Sequence, residues 1–340
     1  MISKQVRILQ EISGAIKPED FEIVEVEIPE LQDGQVLVEN KYLSTDPYVR
    51  STMVNRPGNV FNTVPGEPIQ GDGVGTVIQS KNNKFPVGTN LLHRHGWRTH
   101  TILGEEDDNE FTKIIPNDHK LLDYLSIYGL VGVTAYFSLK QIVDLNSSQT
   151  IVTDGASGGV GHLFVQFAKL MGLKVYGVTS TQEKADYIDG IGGVGVVVPA
   201  KGGLARIHKI FEKNFPNGID YYHANVDNER FAVALWHLNE DSHITMCGGM
   251  KHYNSTMQTL GPNIQAIIHK NSHIHGCAWR FSIDNWRDEY LSFIDDNYDK
   301  IVPLYEFRQG IESMPQQYVD QFFVYDTDSN QKFGKLITQL

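Results

Sequence analysis

The sequence is poor in cysteine, in basic residues and in long apolar runs, and each shortage excludes a class of protein. Its 340 residues include two cysteines, Cys247 and Cys277, which is too few for a disulfide framework or a four-cysteine zinc lobe. The formal net charge is −12. This argues against a general affinity for nucleic acid or anionic membrane, because both require a basic surface.

Long apolar segments are also missing. No stretch approaches the roughly 20 apolar residues of a membrane-spanning helix, and residues 1–10 contain no uninterrupted apolar run. We therefore expect neither a signal peptide nor a membrane span, and a cytoplasmic location is the default. The length favours two domains over one, because single cores seldom grow to this size.

Two patterns of predicted secondary structure follow each other along the chain. Short strands broken by turn residues continue to about Asn117 and predict a small antiparallel β domain. From about Leu125 strands alternate with helical segments, which predicts a parallel sheet with crossover helices and an α/β fold class. Short strands return from about Phe307 and are expected to rejoin the first domain. The predicted boundaries are 125–307 for the α/β domain and 1–124 with 308–340 for the β domain.

A glycine-rich turn between the predicted strand Ile151–Thr153 and the predicted helix Gly159–Met171 is the most informative segment. Three of its small residues match the dinucleotide fingerprint G-x-G-x-x-G, with Ala156 in first place. The first small residue permits the tight turn, Gly158 lets the backbone approach a pyrophosphate, and Gly161 lets the helix pack on the sheet. The segment therefore predicts a Rossmann-type dinucleotide site. Its expected cofactor contacts are Ala156, Ser157, Gly158, Gly159, Val160 and Gly161.

The same turn also fits a hydrolase motif. Gly155-Ala-Ser-Gly-Gly159 spells G-x-S-x-G, the nucleophile elbow, with Ser157 as the nucleophile. However, the elbow leaves Gly161 unexplained, and no His-Gly-Gly type oxyanion segment lies upstream. The spacing to the next predicted strand, Lys174–Thr179, is that of a mononucleotide-binding unit. We favour the dinucleotide site and keep the hydrolase as the alternative.

The end of that next strand distinguishes NAD from NADP. NAD sites carry an acidic residue about 20 residues after the glycines, but this strand ends Gly177-Val-Thr-Ser-Thr181 without one. Ser180 and Lys184 suit a 2′-phosphate, because they offer a hydroxyl group and a positive charge. They favour NADP(H), although Ser180 and Thr181 could serve only as a helix N-cap and Lys184 could be a solvated lysine.

Metal ligands of the kind used by zinc dehydrogenases are scarce. The first predicted domain has no cysteine, so a thiolate ligand is missing there. Histidines cluster in two places, but hydrogen-bonded or solvated histidines are commoner than metal ligands. The clusters are His93/His95 and His269/His273/His275. We therefore predict no catalytic metal, in which case a hydroxyl donor must polarise the substrate.

Several segments together resemble one family. It comprises the zinc-independent medium-chain reductases, in the group of prostaglandin reductases, leukotriene B4 dehydrogenases, alkenal double-bond reductases and curcumin reductases. The order and spacing of the segments hold over nearly the whole chain. They are Leu43-Ser-Thr-Asp-Pro-Tyr-Val-Arg50, Gly132-Val-Thr-Ala-Tyr-Phe137, Ala156-Ser-Gly-Gly-Val-Gly161, Gln166-Phe-Ala-Lys-Leu-Met-Gly-Leu-Lys-Val175, Glu183-Lys184 and Cys247-Gly-Gly-Met-Lys-His-Tyr-Asn254.

The resemblance implies a GroES-like β domain packed on a Rossmann domain, with the active site in the cleft between them. It also implies NADPH-dependent reduction of the C=C bond of an α,β-unsaturated ketone or aldehyde, by hydride transfer to the β-carbon. Tyr253 matches the family tyrosine near the substrate oxygen and is the implied catalytic donor. Tyr48 matches a tyrosine that faces the cleft and is the implied substrate contact. Each of these tyrosines could instead have only a structural role.

Further residues follow from the same resemblance. Asn225, Cys247 and Cys277 complete the expected cofactor contacts, whereas Asn254 is expected to shape the loop around Tyr253. The family also implies a homodimer, in which the edge strands near His273–Cys277 would pair.

Some positions depart from the family pattern near the cofactor. Ala224 replaces an acid, Asp227 and Asn228 replace two glycines, and Lys332 replaces an asparagine near the C-terminus. These departures keep two alternatives open. One is an NADPH-dependent quinone or carbonyl reductase of the same superfamily, and the other is a cofactor-binding protein with little catalysis.

Overall fold

The computed structural model describes residues 1–54, 62–109, 112–142, 145–226, 228–254, 263–278, 283–323 and 333–340. The strands are β1 (Ile2–Ile8), β2 (Phe21–Glu27), β3 (Val36–Ser44), β4 (Gly73–Ser80), β5 (Asn90–His93), β6 (His100–Leu103), β7 (Lys113–Ile115), β8 (Ile151–Asp154), β9 (Val175–Thr179), β10 (Val194–Val197), β11 (Ile219–Ala224), β12 (Leu238–Met246), β13 (His273–Gly276), β14 (Tyr305–Gln309) and β15 (Lys335–Gln339). The α-helices are α1 (Val49–Thr52), α2 (Leu130–Lys140), α3 (Gly159–Leu170), α4 (Gln182–Gly190), α5 (Gly203–Asn214), α6 (Asn228–Trp236), α7 (Met250–Tyr253), α8 (Gln265–His269), α9 (Ile283–Asn297) and α10 (Met314–Phe323).

A parallel sheet forms the centre of the second half of the chain. Its strand order is β10-β9-β8-β11-β12-β13, and each neighbouring pair is parallel. Numbered from β8, this is the order 3-2-1-4-5-6 of a Rossmann sheet. The strands β8, β9 and β10 are short and rich in apolar residues, as expected where helices cover both faces of a sheet. Helix α3 belongs to one hydrophobic cluster and α5 to another. The predicted α/β fold class with a Rossmann domain is confirmed.

The first half of the chain forms a separate sheet that is mostly antiparallel. Its order is β14-β15-β3-β4-β5-β7, with β6 also paired to β3, and β1 and β2 form a two-stranded sheet of their own. The last strand, β15, lies between β14 and β3, so the C-terminus returns to the β domain as expected. The residue boundaries of the two predicted domains stay predictions.

The returning C-terminal strand also contacts the glycine-rich turn of the Rossmann sheet. The Gly334 N–H donates to the Ser157 carbonyl oxygen at 2.7 Å, and Gly334 forms a parallel β-bridge with Gly158. Lys335 pairs with Asp46 of the β domain, and both side chains are buried. The two halves of the molecule therefore meet at the carboxyl edge of the parallel sheet.

Among the described helices, none is long and apolar enough to cross a membrane. The cytoplasmic location expected from the sequence stays a prediction.

Candidate active site

The glycine-rich turn follows β8 and leads into α3, as the fingerprint requires. The residue in the left-handed region is Gly155, with φ at +60°, one position before the Ala156 to which the sequence assigned the tight turn. A β-carbon on Gly155 would lie 2.6 Å from Val226 Cγ2. Ala156 is instead fully buried in the core. A β-carbon on Gly161 would overlap the Gly155 carbonyl oxygen, so the predicted close packing of helix on turn is present.

Gly158, Gly159 and Val160, where the turn enters α3, are partly exposed. Gly158 is the N-cap residue of α3, and a helix leaves the N–H groups of its first turn without intrahelical partners. A β-carbon on Gly158 would have the Gly155 carbonyl oxygen, at 3.2 Å, as its sole described neighbour within 4 Å. Open backbone N–H groups at a helix N-terminus form an anion site that suits a pyrophosphate.

Ser157 does not have the geometry of a hydrolase nucleophile. Its side chain is nearly buried, with 7 % exposed, and the strained position of the turn is Gly155 rather than Ser157. Within the described part of the chain, no hydrogen bond links it to a histidine. The structure therefore gives no support to the nucleophile elbow.

Two cations, Lys184 on α4 and Arg230 on α6, lie near each other. Lys184 is 4 % exposed, and its pKa is lowered by burial and by the nearby Arg230, while Glu306 and Glu183 act in the opposite direction. Arg230 is also buried and donates from Nη2 to the Val198 carbonyl oxygen at 3.1 Å. A buried pair of cations suits a phosphate. Arg230 was missed in the sequence, because nothing local connects it to Lys184.

The hydroxyl residues beside Lys184 have separate roles. Thr181 is the N-cap of α4, and its side chain accepts a hydrogen bond from the Lys184 N–H. Ser180 lies just before the cap and is partly exposed. The N-cap alternative therefore applies to Thr181 and leaves Ser180 available to a ligand.

Asn225 lies at the end of β11, but its amide group is used inside the protein. Its Nδ2 donates to the Asp154 carbonyl oxygen at 3.0 Å and lies 3.1 Å from His223 Nδ1. The Asp154 carboxylate accepts the backbone N–H groups of Asn225 and Val226 at 2.5 and 3.1 Å. Asp154 thus fixes the loop opposite the glycine-rich turn, a role that the sequence did not reveal.

Tyr253 ends the short helix α7, close to β12. Its hydroxyl oxygen lies 3.4 Å from the position that a β-carbon on Gly248 would take, and its ring packs against a hydrophobic cluster of the β domain. Burial raises the pKa of the phenol, and the neighbouring Cys247 adds to the increase. The hydroxyl therefore stays protonated and able to donate at neutral pH.

Asn254 fixes the loop next to this tyrosine, as expected. Its Oδ1 accepts the Ile16 backbone N–H at 2.7 Å and lies 3.4 Å from Arg50 Nε. Arg50 in turn donates to the Gly14 carbonyl oxygen at 2.6 Å. The catalytic candidate is thus held against the β domain through its neighbour in sequence.

Tyr48 precedes α1 and packs against the same hydrophobic cluster as Tyr253. The structure therefore brings the two tyrosines that the sequence singled out to one cluster. Burial raises the pKa of the Tyr48 phenol, and the carboxylates of Asp72 and Asp46 raise it further. Asp46 belongs to the buried ion pair with Lys335. Lys335 follows Gly334, which bonds to the glycine-rich turn, so the ion pair connects the surroundings of Tyr48 to that turn.

Cys247 and Cys277 lie side by side past the ends of β12 and β13. Their thiols hydrogen-bond each other, and Cys277 Sγ is 3.2 Å from Ser138 Oγ. Both residues are partly exposed, and they do not form a disulfide. With the glycine-rich turn, Lys184, Asn225 and Tyr253, they line the carboxyl edge of the parallel sheet, where such sheets bind ligands.

The histidine clusters are occupied by hydrogen bonds. His93 is fully buried, its Nε2 lies 2.8 Å from Asn40 Oδ1, and its Nδ1 accepts the His95 N–H at 3.1 Å. At the sheet edge, His243 Nδ1 lies 3.0 Å from His275 Nε2. Among the residues that the structure describes, no group of three or more His, Cys, Asp or Glu is arranged to hold a metal. A reaction without metal stays a prediction.

Only some of the positions that depart from the family pattern lie within the described residues. Ala224 is buried at the end of β11, where its small side chain fits the core. Asp227 and Lys332 lie outside the described residues, as does the side chain of Asn228.

Comparisons with known proteins agree with this geometry. The family model described as the N-terminal domain of oxidoreductase matches residues 4–114, and the one described as zinc-binding dehydrogenase matches residues 159–296. The crystal structure of CurA in complex with NADPH from Vibrio vulnificus superimposes with a TM-score of 0.87 at 26 % identity, over 99 % of this chain and 98 % of that one.

Curated relatives cover most of the chain. Prostaglandin reductase 1 of Bos taurus is 31 % identical over 88 % of this chain and 89 % of its own length. The NADP(+)-dependent 2-alkenal reductase of Nicotiana tabacum is 29 % identical over 99 % of this chain and 97 % of its own length. The chain therefore belongs to the medium-chain dehydrogenase/reductase family, in the group that contains the prostaglandin and 2-alkenal reductases.

Proposed function

We propose that this protein uses NADPH to reduce the C=C bond of α,β-unsaturated ketones or aldehydes. The observation that carries the proposal is the position of Tyr253. Its neutral hydroxyl lies at the same sheet edge as the glycine-rich turn and against the β domain. Similarity to the prostaglandin and 2-alkenal reductases supports the same reaction class.

The residues present fit an NADPH cofactor at two places, its pyrophosphate and its 2′-phosphate. The open backbone of Gly158–Val160 would receive the pyrophosphate. Lys184 on α4 and Arg230 on α6, two buried cations, would receive the 2′-phosphate, with Ser180 just before α4. The CurA structure contains NADPH, which supports this choice over NADH.

Tyr253 and Tyr48 would hold the substrate. Bound NADPH supplies the hydride that the β-carbon accepts. As negative charge develops on the substrate oxygen, the Tyr253 hydroxyl donates a hydrogen bond to it, and such a donor is worth a large part of the rate acceleration. Tyr48, which packs against the same cluster as Tyr253, would orient the enone. The α-carbon then takes a proton from solvent, which completes the reduction of the double bond.

The test has two stages, binding and then turnover. Fluorescence titration of the purified protein should give micromolar NADPH affinity and much weaker NADH affinity. Addition of 2-nonenal should then oxidise NADPH, and gas chromatography should find nonanal, the product of C=C reduction. Nonenol as the product would instead indicate a carbonyl reductase. Binding without turnover on any enone or quinone would leave the protein a cofactor-binding protein, and no binding of either nucleotide would refute the site itself.

We also propose that the protein forms a homodimer through the edge of its parallel sheet. β13 is the last strand of that sheet, and Ile274 on it is 48 % exposed, next to α8, where Ile268 is 71 % exposed. Exposed apolar side chains on and near the last described strand of a sheet suit pairing with a second copy. Sedimentation equilibrium should give a dimer, and Ile274→Lys should give a monomer. A wild-type monomer at micromolar concentration would contradict the proposal.

A further inference from the structure

The two cysteines of the chain are adjacent in space because of the register of two parallel strands. Met246 and Gly276 are the last paired residues of β12 and β13. Cys247 directly follows the first of these strands, and Cys277 directly follows the second. The Cys277 N–H donates to the Met246 carbonyl oxygen at 3.0 Å, which keeps the strands together at this point. Neighbouring strands lie about 4.8 Å apart, within the roughly 4.4–6.8 Å that a disulfide spans between Cα atoms.

The chemistry of the pair is asymmetric. The hydrogen bond from the Cys247 thiol lowers the pKa of Cys277; burial opposes this change, and the Ser138 hydroxyl contributes to it. The same hydrogen bond, together with burial, raises the pKa of Cys247. Cys277 is therefore the better nucleophile, because the thiolate is the reactive form of cysteine. Cys247 keeps its proton and is positioned to resolve an oxidised Cys277.

We propose that Cys247 and Cys277 are a redox modification site that closes to a reversible intramolecular disulfide when a hydroperoxide oxidises it. The Cys277 thiolate attacks one oxygen of hydrogen peroxide, the O–O bond breaks, and Cys277 becomes a sulfenic acid while the leaving hydroxide takes up a proton from solvent and becomes the first water. The sulfur of Cys247 then attacks the sulfur of Cys277, the S–O bond breaks, and the second water carries away the Cys247 proton. Both sulfurs are oxidised, and both peroxide oxygens are reduced.

The position of the pair gives the disulfide a consequence for the active site. Cys247 directly precedes Gly248 and Gly249, which lead into the helix of Tyr253, and it is close enough to Tyr253 to affect the phenol pKa. A bond from Cys247 to Cys277 fixes the start of this segment. Oxidation should therefore weaken nucleotide binding, and bound nucleotide should slow oxidation by the same coupling. This consequence rests on the proposed function, whereas formation of the disulfide does not.

The primary experiment counts thiols in the full-length, nucleotide-free protein. After treatment with hydrogen peroxide and catalase, the protein is unfolded and labelled with N-ethylmaleimide, and its intact mass is measured. We expect two labels before oxidation, none after it, and two again after reduction with a phosphine. Persistence of both labels, irreversible oxidation of one cysteine, or a disulfide between two chains on a non-reducing gel would overturn the proposal.

Matched variants assign the roles of the two cysteines. In Cys247→Ser the remaining Cys277 should react with a sulfenic-acid probe, because no resolving thiol is present. In Cys277→Ser the remaining Cys247 should stay reduced after the same brief exposure. If a serine variant does not fold, the alanine variant replaces it. Equal probe labelling of the two single-cysteine variants would refute the assignment of Cys277 as the attacking thiol.

A nucleotide arm tests the link to the active site. Saturating NADP⁺ should slow disulfide formation, and the oxidised protein, freed of peroxide, should bind NADPH about 5–150-fold more weakly than the reduced protein. If NADP⁺ binds but neither effect appears, the link is overturned while the disulfide stands. If the nucleotide does not bind at all, the proposed function fails, and the thiol count in nucleotide-free protein still decides the redox site.

Discussion

The side chain of Asn254 accepts a hydrogen bond from the backbone of Ile16 at 2.7 Å, across 238 residues of sequence. This bond joins the loop of Tyr253, which follows strand β12 of the parallel sheet, to the β domain that packs against the same tyrosine. The candidate hydroxyl is therefore positioned by both halves of the molecule. Rigid support of this kind is what a hydrogen-bond donor needs if it is to act on charge that develops during a reaction.

Tyr253→Phe should lower kcat for enone reduction by about 10²–10³-fold, because it removes one donor to the developing charge. The affinity for NADPH should not change, since the phenol ring remains in place. Tyr176→Phe is the matched control. Tyr176 lies near the start of β9, at the end opposite to the carboxyl edge, and its ring packs against Phe215, so full activity is expected. A Tyr253→Phe variant with wild-type kcat would assign this tyrosine a packing role only, and would favour a quinone reductase.

Lys184→Met should weaken NADPH binding and leave NADH binding unchanged, because only NADPH carries the 2′-phosphate. A hydrogen bond to a charged group contributes about 1.5–3 kcal/mol, which corresponds to about 10–150-fold in affinity. Lys174→Met, a change at an exposed lysine just before β9, serves as the control. Parallel fluorescence titrations decide, and an equal loss for both nucleotides would mean that Lys184 supports the fold rather than the phosphate.

Gly161→Ala should destabilise the protein, because the new β-carbon would overlap the Gly155 carbonyl oxygen. Overpacking of this kind costs about 1–3 kcal/mol, and nucleotide binding should be lost with the turn geometry. Gly190→Ala provides the contrast, since a β-carbon there meets nothing within 4 Å among the described atoms. It should be neutral or slightly stabilising at the end of α4. Urea unfolding of both variants checks the prediction, and equal midpoints would contradict it.

Lys335→Met should lower the free energy of unfolding by about 3–5 kcal/mol, because it leaves the Asp46 carboxylate buried without its cation. Lys335 is 6 % exposed and Asp46 is 4 % exposed at the side chain. The double variant Lys335→Met/Asp46→Asn should recover much of the loss. Lys4→Met breaks the exposed pair with Glu312 and should leave the urea midpoint unchanged. No recovery in the double variant would show that packing, rather than charge, dominates at this position.

Protein stability should fall as the pH falls below the ordinary histidine pKa of 6.5. Burial lowers the pKa of His93 and His223 to about 3 and that of His162 to about 4. Below pH 6.5 the unfolded chain takes up protons that these folded histidines refuse, so each destabilises the native state by up to about 1.4 kcal/mol per pH unit. The effect of His162 spans the window from pH 6.5 down to its folded pKa of about 4.

A single variant isolates this contribution. His162 uses Nδ1 toward the Gly158 carbonyl oxygen at 2.8 Å and accepts the Leu304 N–H on Nε2 at 3.1 Å. Glutamine can reproduce both contacts without a titrating group. His162→Gln should therefore reduce the pH slope of the unfolding free energy by about 1.4 kcal/mol per pH unit. A slope identical to that of the wild type would refute the assignment.

Features that depend on neighbouring residues could be predicted from the sequence. The segment from β8 to β9 alternates between strand, glycine turn and helix within one stretch of chain, so its local pattern alone predicts it. The predicted strand Lys174–Thr179 and helix Gly159–Met171 differ from the observed elements by one residue at one end. Even here the left-handed turn residue is Gly155, because the fingerprint gives the spacing of small residues but not their backbone angles.

Features that depend on distant residues could not be predicted. Lys335 and Asp46 are 289 positions apart, and Arg230 approaches Lys184 only because α6 returns to the edge of the sheet near α4. The contact between Cys247 and Cys277 needs the register of β12 and β13, and a shift of one residue would separate the thiols. Periodicity contains no information on such pairs, whereas strand order and register determine them.

The place of β15 in its sheet has a consequence for synthesis of the chain. β3 precedes the parallel sheet in the chain and is translated before it, whereas its partner β15 is translated after it. Tyr42–Ser44 of β3 therefore lack their partner strand while the parallel sheet is translated, although β6 can already pair with Val36–Glu39. Such long-range pairing is slow to form, so β15 completes the sheet of the β domain only after the parallel sheet has been translated.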